Sequence, residues 1–134
     1  MALTNEQRKK IYLVSDAVLY PEAEKLIREL IEDDEVRELP KKSQIMGLLN
    51  IIKSAKYDDV LDFINRQITR NVDEVFYAKI LQELRKMHRT RLQDEFQLVN
   101  SRPTKREEDA EKKELMLQLT REFIQHIIAE AGIQ

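Results

Sequence analysis

Between Arg85 and Arg91 the chain reads Arg-Lys-Met-His-Arg-Thr-Arg, a basic run with no acid in it. On a helix Arg85, Lys86 and Arg89 fall on one side, with Gln82 and Gln93 beside them, His88 between, and Arg91 nearer the apolar face. Such a stripe is a track for phosphates, because each Lys or Arg set against a nucleic-acid backbone releases counterions. It is equally the pattern of a solvated helix face. A second basic set lies earlier. Lys41 and Lys42 stand at a helix start, where free backbone N–H groups attract anions. Arg66 and Arg70 share a helix face at i, i+4, although Asp62 precedes Arg66 by four residues, the favoured order for an intrahelical ion pair.

Other chemistries find less support. There is no cysteine, so neither a thiolate nucleophile nor a disulfide is present, which fits a reducing cytoplasm. The two histidines, His88 and His126, are far apart and do not make a zinc site alone. No serine, histidine and acid cluster in the manner of a triad, and no pair of carboxylates stands out by spacing. The run Glu32-Asp33-Asp34-Glu35 sits at the end of a helix, where acids oppose the dipole, and reads as an exposed, fraying end. A divalent-cation loop there would need alternating oxygen ligands and usually a glycine turn. Two glycines and three prolines exclude glycine-rich phosphate loops and most tight-hairpin sheet folds. We therefore expect no catalytic residue, no bound metal and no cofactor.

Amphipathic helices must position these residues. Net charge is −2, yet it is uneven: eight acids against three bases fall between Glu22 and Glu38. The 134 residues suit one domain, spanning residues 1–134. No apolar stretch approaches the ~20 residues of a membrane span, and the N-terminus has no signal-peptide core. Thr4 and Gln7 read as a capping box for the first helix, whose face Ile11, Val14, Ala17 and Val18 is widened by Tyr12, Leu13 and Leu19. So wide a face predicts burial on more than one side. Tyr20, before Pro21, is expected to leave helical geometry, and Pro21 to open the next helix. Its stripe is Ala23, Leu26, Ile27, Leu30 and Ile31.

Pro40 ends that segment, and Ser43 is the expected N-cap of a helix carrying Ile45, Leu48, Leu49 and Ile52. After the short link Ser54–Tyr57 a second helix buries Val60, Leu61, Ile64 and Ile68, capped by Asp58 or its neighbour, so the two should form an antiparallel hairpin. Asn71 and Glu74 read as a capping pair for a long helix through Phe76, Ile80, Leu84 and Met87, with a kink or change of partner near Thr90. Thr104 and Glu107 form another box. The charged segment 104–114, with Glu108–Lys112 and Asp109–Lys113 at i, i+4, is expected as a solvated helical turn or a partly disordered linker into a last helix over 115–131. That helix has a core stripe (Leu115, Met116, Leu119, Phe123, Ile127). A second arc, Leu117, Ile124, Ile128 and Ala131, makes its apolar face wider than one buried side needs. Self-association through that arc and a central position in the monomer both account for the width; a homodimer through the arc is the expectation. The fold class is all-α: a single-domain bundle of five or six mostly antiparallel helices.

Ser43, Gln44, Ile45, Leu48 and Leu49, followed by Phe63, Gln67 and Arg70, resemble the small all-helical subunit of type III CRISPR effector complexes, of the Csm or Cmr kind. The resemblance covers residues 39–70, about a quarter of the chain. It implies a cytoplasmic, non-catalytic subunit in antiviral defence, stacked along a guide RNA–target duplex and contacting other effector subunits. On that view Lys41, Lys42, Arg66, Arg70, Arg85, Lys86 and Arg89 would touch RNA backbone without reading bases. The alternative class is a helical protein–protein adaptor or oligomeric scaffold without nucleic-acid binding; a helical enzyme using the acids ranks last.

Overall fold

The computed structural model describes residues 3–132. Five continuous helical rods form an all-α bundle, and no strand occurs among the described residues. The first rod joins α1 (Asn5–Val14), a π-helical turn (Ser15–Leu19) and α2 (Tyr20–Glu32). Then come α3 (Lys42–Ser54), α4 (Tyr57–Thr69), α5 (Glu74–Lys86) continuing into a π-helical segment (Met87–Glu95), and α6 (Lys105–Gly132).

The first rod starts as the capping box predicts: the Gln7 N–H donates to Thr4 Oγ1 at 3.1 Å, and the Thr4 N–H donates to Gln7 Oε1 at 3.0 Å. Its inner face is Gln7, Ile11, Ser15, Leu19 and Ala23, all buried and spaced by four. At 3.6 residues per turn such a spacing drifts about 40° per step. The wide turn at Ser15–Leu19 takes up the drift, with Tyr20 N–H bonded to the Ser15 carbonyl five residues back. It also accommodates Pro21, which has no N–H to give the preceding turn. Tyr20 accordingly stays helical (φ −60°, ψ −54°), contrary to the break expected before proline.

The α3–α4 hairpin forms as expected, with Ile45, Leu48, Leu49, Ile52, Val60 and Ile64 all buried. Its caps differ. Ser43 lies inside the first turn of α3, and the Lys41 N–H donates instead to Gln44 Oε1. At α4 the neighbour of Asp58 serves: Asp59 accepts from the Lys56 N–H at 3.1 Å. Asn71 does not cap α5. It closes α4 with a left-handed φ of 58°, while Val72 N–H reaches Gln67 O and Asn71 N–H reaches Ile68 O. These bonds make a Schellman turn with asparagine where glycine is commonest. The disturbance expected near Thr90 is the π-helical widening of Met87–Glu95, within which Thr90 Oγ1 donates to the Lys86 carbonyl.

The C-terminal segment takes the helical one of the two forms expected for its charged start. Residues 105–132 are one helix of 28 residues, about 42 Å long, so the charged stretch is its first three turns and not a linker. Thr104 still accepts from the Glu107 N–H at 3.2 Å. α6 is the pillar of the bundle, packed against α2, α3, α4 and both π-helical segments. The double apolar arc has its explanation there: Ile124 has no exposed surface, and Leu117, Ile128 and Ala131 are partly buried against the core of the same chain. Of the expected homodimer arc, Ile124 is thus enclosed within the monomer, while Leu117, Ile128 and Ala131 keep part of their surface open. α3, α4 and α5 alternate in direction. The first rod runs the same way as α6, with Tyr12 beside Gln118, Ser15 at His126 and Ile31 beside Glu130.

Candidate nucleic-acid interface

Antiparallel packing sorts the seven candidate cations into two groups. Lys41 and Lys42 begin α3 and Arg66 and Arg70 end α4, so these four share one end of the hairpin. Arg85, Lys86 and Arg89 lie about 20 Å away at the other end, since α5 returns along α4. All seven are exposed, and none forms an ion pair among the described residues. The Asp62–Arg66 pair that the spacing allows is not made.

Arg91 belongs to the same linear run but not to the same surface. It is buried, its guanidinium 2.8 Å from Glu22 on α2, paired with Glu95 one turn on, and stacked over the Phe96 ring at 4.8 Å. Burial opposes its charge, and the hydrogen bonds to Glu95 and Glu22 outweigh that, holding it protonated even more firmly than a free arginine. The Arg91 hydrogen bond is also the main cause that lowers the Glu95 pKa. Arg91 is a clamp between two rods.

Around the end of the bundle that carries Arg85, the structure gathers residues that lie far apart in sequence. The corner between α3 and α4 (Ala55, Lys56, Tyr57, Asp58) faces the start of α6 (Lys105, Arg106, Asp109, Ala110, Lys113, Glu114, Leu117) across a groove of ≈ 850 Å³. Lys113 donates to Asp58 at 2.8 Å and ties the walls together, while Lys112 pairs with Glu108 at 3.1 Å. Lys113 therefore does not make the Asp109 pair expected from spacing. Lys56, Lys105 and Arg106 are exposed and unpaired among the described residues. The floor is apolar, made by Ala55, Ala110 and Leu117 with buried Tyr57. Sequence reasoning missed these three cations because Lys105 and Arg106 sit in a mixed-charge run and Lys56 stands alone.

The local field at this end is legible in two titrating groups. His88, edge-on to the Tyr57 ring at 5.8 Å, has its pKa pushed down by burial and then by Lys112 and Lys113, against the pull of Asp109 and Asp58. Tyr57 is pushed well above the usual phenol by burial and by Asp58, and Arg85 opposes the rise. On α6 Glu111, which does not line the groove, has no exposed surface. It accepts from the Asn100 N–H at 2.8 Å, from Arg102 Nε at 2.7 Å and from a second Arg102 nitrogen. This fastens the loop before α6 to its second turn.

Ser15 Oγ lies 2.7 Å from His126 Nε2, but Ser15 is buried in the widened turn and the Tyr20 ring packs edge-on to His126. That contact fills the core edge. No group of three or more His, Cys, Asp or Glu suited to a metal ion occurs among the described residues, and Glu32, Asp34 and Glu35 are exposed. No described helix is long and apolar enough to cross a membrane. No family model, curated protein or solved structure matches this chain.

Proposed function

We propose that this chain is a non-catalytic small subunit of a type III CRISPR RNA-guided effector complex, holding guide or target RNA by its backbone and acting in the cytoplasm beside other effector subunits. The observation that carries the RNA reading is the groove end of the bundle, where Arg85, Lys56, Lys105 and Arg106 stand exposed and unpaired around an apolar floor. Flexible cations suit phosphates, and an apolar floor suits ribose and base faces without selecting sequence. Lys86 and Arg89 extend this end, and Lys41, Lys42, Arg66 and Arg70 form a second cationic patch one helix length away.

Filter binding with single-stranded RNA at two salt concentrations tests the proposal. Binding must weaken steeply with salt, by about 0.7 log units per phosphate contact for each tenfold rise. Arg85→Glu with Lys86→Glu and Arg89→Glu, or Lys56→Glu with Lys105→Glu and Arg106→Glu, should weaken binding to all sequences alike and flatten the salt slope by about 2. A folded wild type that binds no RNA at either salt overturns it. That result would leave the alternative, an adaptor or scaffold without nucleic acid, which the exposed Tyr12 and Leu13 favour.

A further inference from the structure

Tyr12 and Leu13 are 62% and 68% exposed, more than any other large apolar side chain among the described residues. Both lie on α1, which is the peripheral part of the first rod. α1 is held from its inner side, where Leu3, Gln7 and Ile11 are buried, Gln7 Nε2 donates to the Leu98 carbonyl at 2.9 Å and Lys10 reaches the Gln97 carbonyl. Among the described residues nothing covers Tyr12 and Leu13 on its outer side. The wide face that predicts burial on two sides is met on one side only.

The outer side has a definite pattern. Lys9, Tyr12, Leu13, Asp16 and Tyr20 are all exposed, and the first four follow the i, i+3, i+4, i+7 rule of a helix-packing stripe. Lys9 and Asp16 make no ion pair among the described residues. If two such stripes are laid antiparallel about a two-fold axis between Tyr12 and Leu13, Lys9 of each copy faces Asp16 of the other. Tyr12 then faces Leu13, and the ion pair forms twice by symmetry. A parallel arrangement sets Lys9 on Lys9 and Asp16 on Asp16. The stripe is therefore complementary to itself in one orientation.

We propose that two copies of this chain pair through the outer face of α1, antiparallel, with Tyr12 and Leu13 at the centre and reciprocal Lys9–Asp16 ion pairs at the flanks. The contact is smaller than a standard interface, so the dimer is reversible and concentration-dependent. It does not rest on the RNA reading and leaves the groove beside α6 open.

Sedimentation equilibrium on the full chain, over about a hundredfold range of concentration, tests the pairing. The wild type should associate to a dimer and no further. Tyr12→Glu with Leu13→Asp, helical by circular dichroism, should stay monomeric throughout. Lys9→Asp alone and Asp16→Lys alone each place like charges across the axis and should associate about tenfold more weakly. Mixed together they should form a heterodimer at wild-type strength, because opposite charges then meet at both flanks: the native Lys9–Asp16 pair at one, and the same pair with its signs exchanged at the other. A wild type that is monomeric across the range overturns the proposal, as does a dimer indifferent to the Tyr12 and Leu13 changes. A mixture no stronger than its separate variants overturns the antiparallel register.

Discussion

The most informative perturbation of the fold is Arg102→Ala. Glu111 is fully buried, and two of its three hydrogen-bond donors belong to Arg102. Removing that side chain leaves a carboxylate out of water with the Asn100 N–H as its remaining partner. Breaking a buried pair from one side costs about 3–5 kcal/mol. The Arg102 side chain is 25% exposed, so water can enter where it lay, and the lower end of that range applies. Glu111→Gln is gentler: its amide oxygen still accepts from Asn100, but an NH2 stands where Oε2 accepted from Arg102, so both Arg102 bonds are lost, and because Arg102 is close enough to water to be rehydrated the cost is about 1–3 kcal/mol. The double variant buries no charge and should cost less than the sum of the singles by more than about 1 kcal/mol. Urea unfolding followed by circular dichroism measures all three, with an unchanged denaturant slope as the check on two-state behaviour. For a chain this size an effect of ~3 kcal/mol also lowers Tm by roughly 10 °C. An Arg102→Ala cost below about 1 kcal/mol, or strict additivity in the double variant, would refute the buried-pair reasoning.

Two further outcomes follow from the packing and the field around it. Ile124→Ala empties a site with no exposed surface and should cost about 2–5 kcal/mol in the same urea assay without changing the association state; a fall in association with stability intact would restore the α6 dimer face. The pKa of His88 is lowered from 6.5 by burial and by Lys112 and Lys113, so the folded protein binds its proton less readily than the unfolded chain. Its stabilising contribution is full above 6.5 and is lost as pH falls below that value toward the lower folded pKa. Wild-type Tm should therefore drop on acidification through this window while His88→Gln stays flatter; equal slopes in the two proteins would contradict the shift.

Helix periodicity carried the architecture in the sequence. The stripe Ile45, Leu48, Leu49 and Ile52 is buried as its spacing requires, because one apolar face per helix leaves little choice about which side turns inward. The double arc on α6 was ambiguous for a physical reason: an interface with another chain and a position inside the bundle demand the same residues. Only tertiary packing separates them, and it encloses Ile124. The start of α6 stayed open between a helical turn and a linker because its anchoring is ionic, through Glu111 to Arg102, and leaves no apolar period to read. The basic residues were legible as types but not as a surface. Arg91 turned inward to acids from two rods, whereas Lys56 joined Lys105 and Arg106 across a groove that no local spacing records.

The pillar of this bundle is made after everything that leans on it. During synthesis α1 to α5 leave the ribosome first, and at ~5–20 residues per second the 28 residues of α6 take about 1.5–6 s more. Through that interval the faces of α2 and α3 that pack on α6 have no cover. The nascent chain is thus a set of local hairpins in search of a spine, and a prematurely stopped chain has the surface of an aggregate and not of a smaller domain. A chain stopped ahead of α6 is therefore expected to be less soluble than the full one, because the apolar faces that α6 covers stay bare.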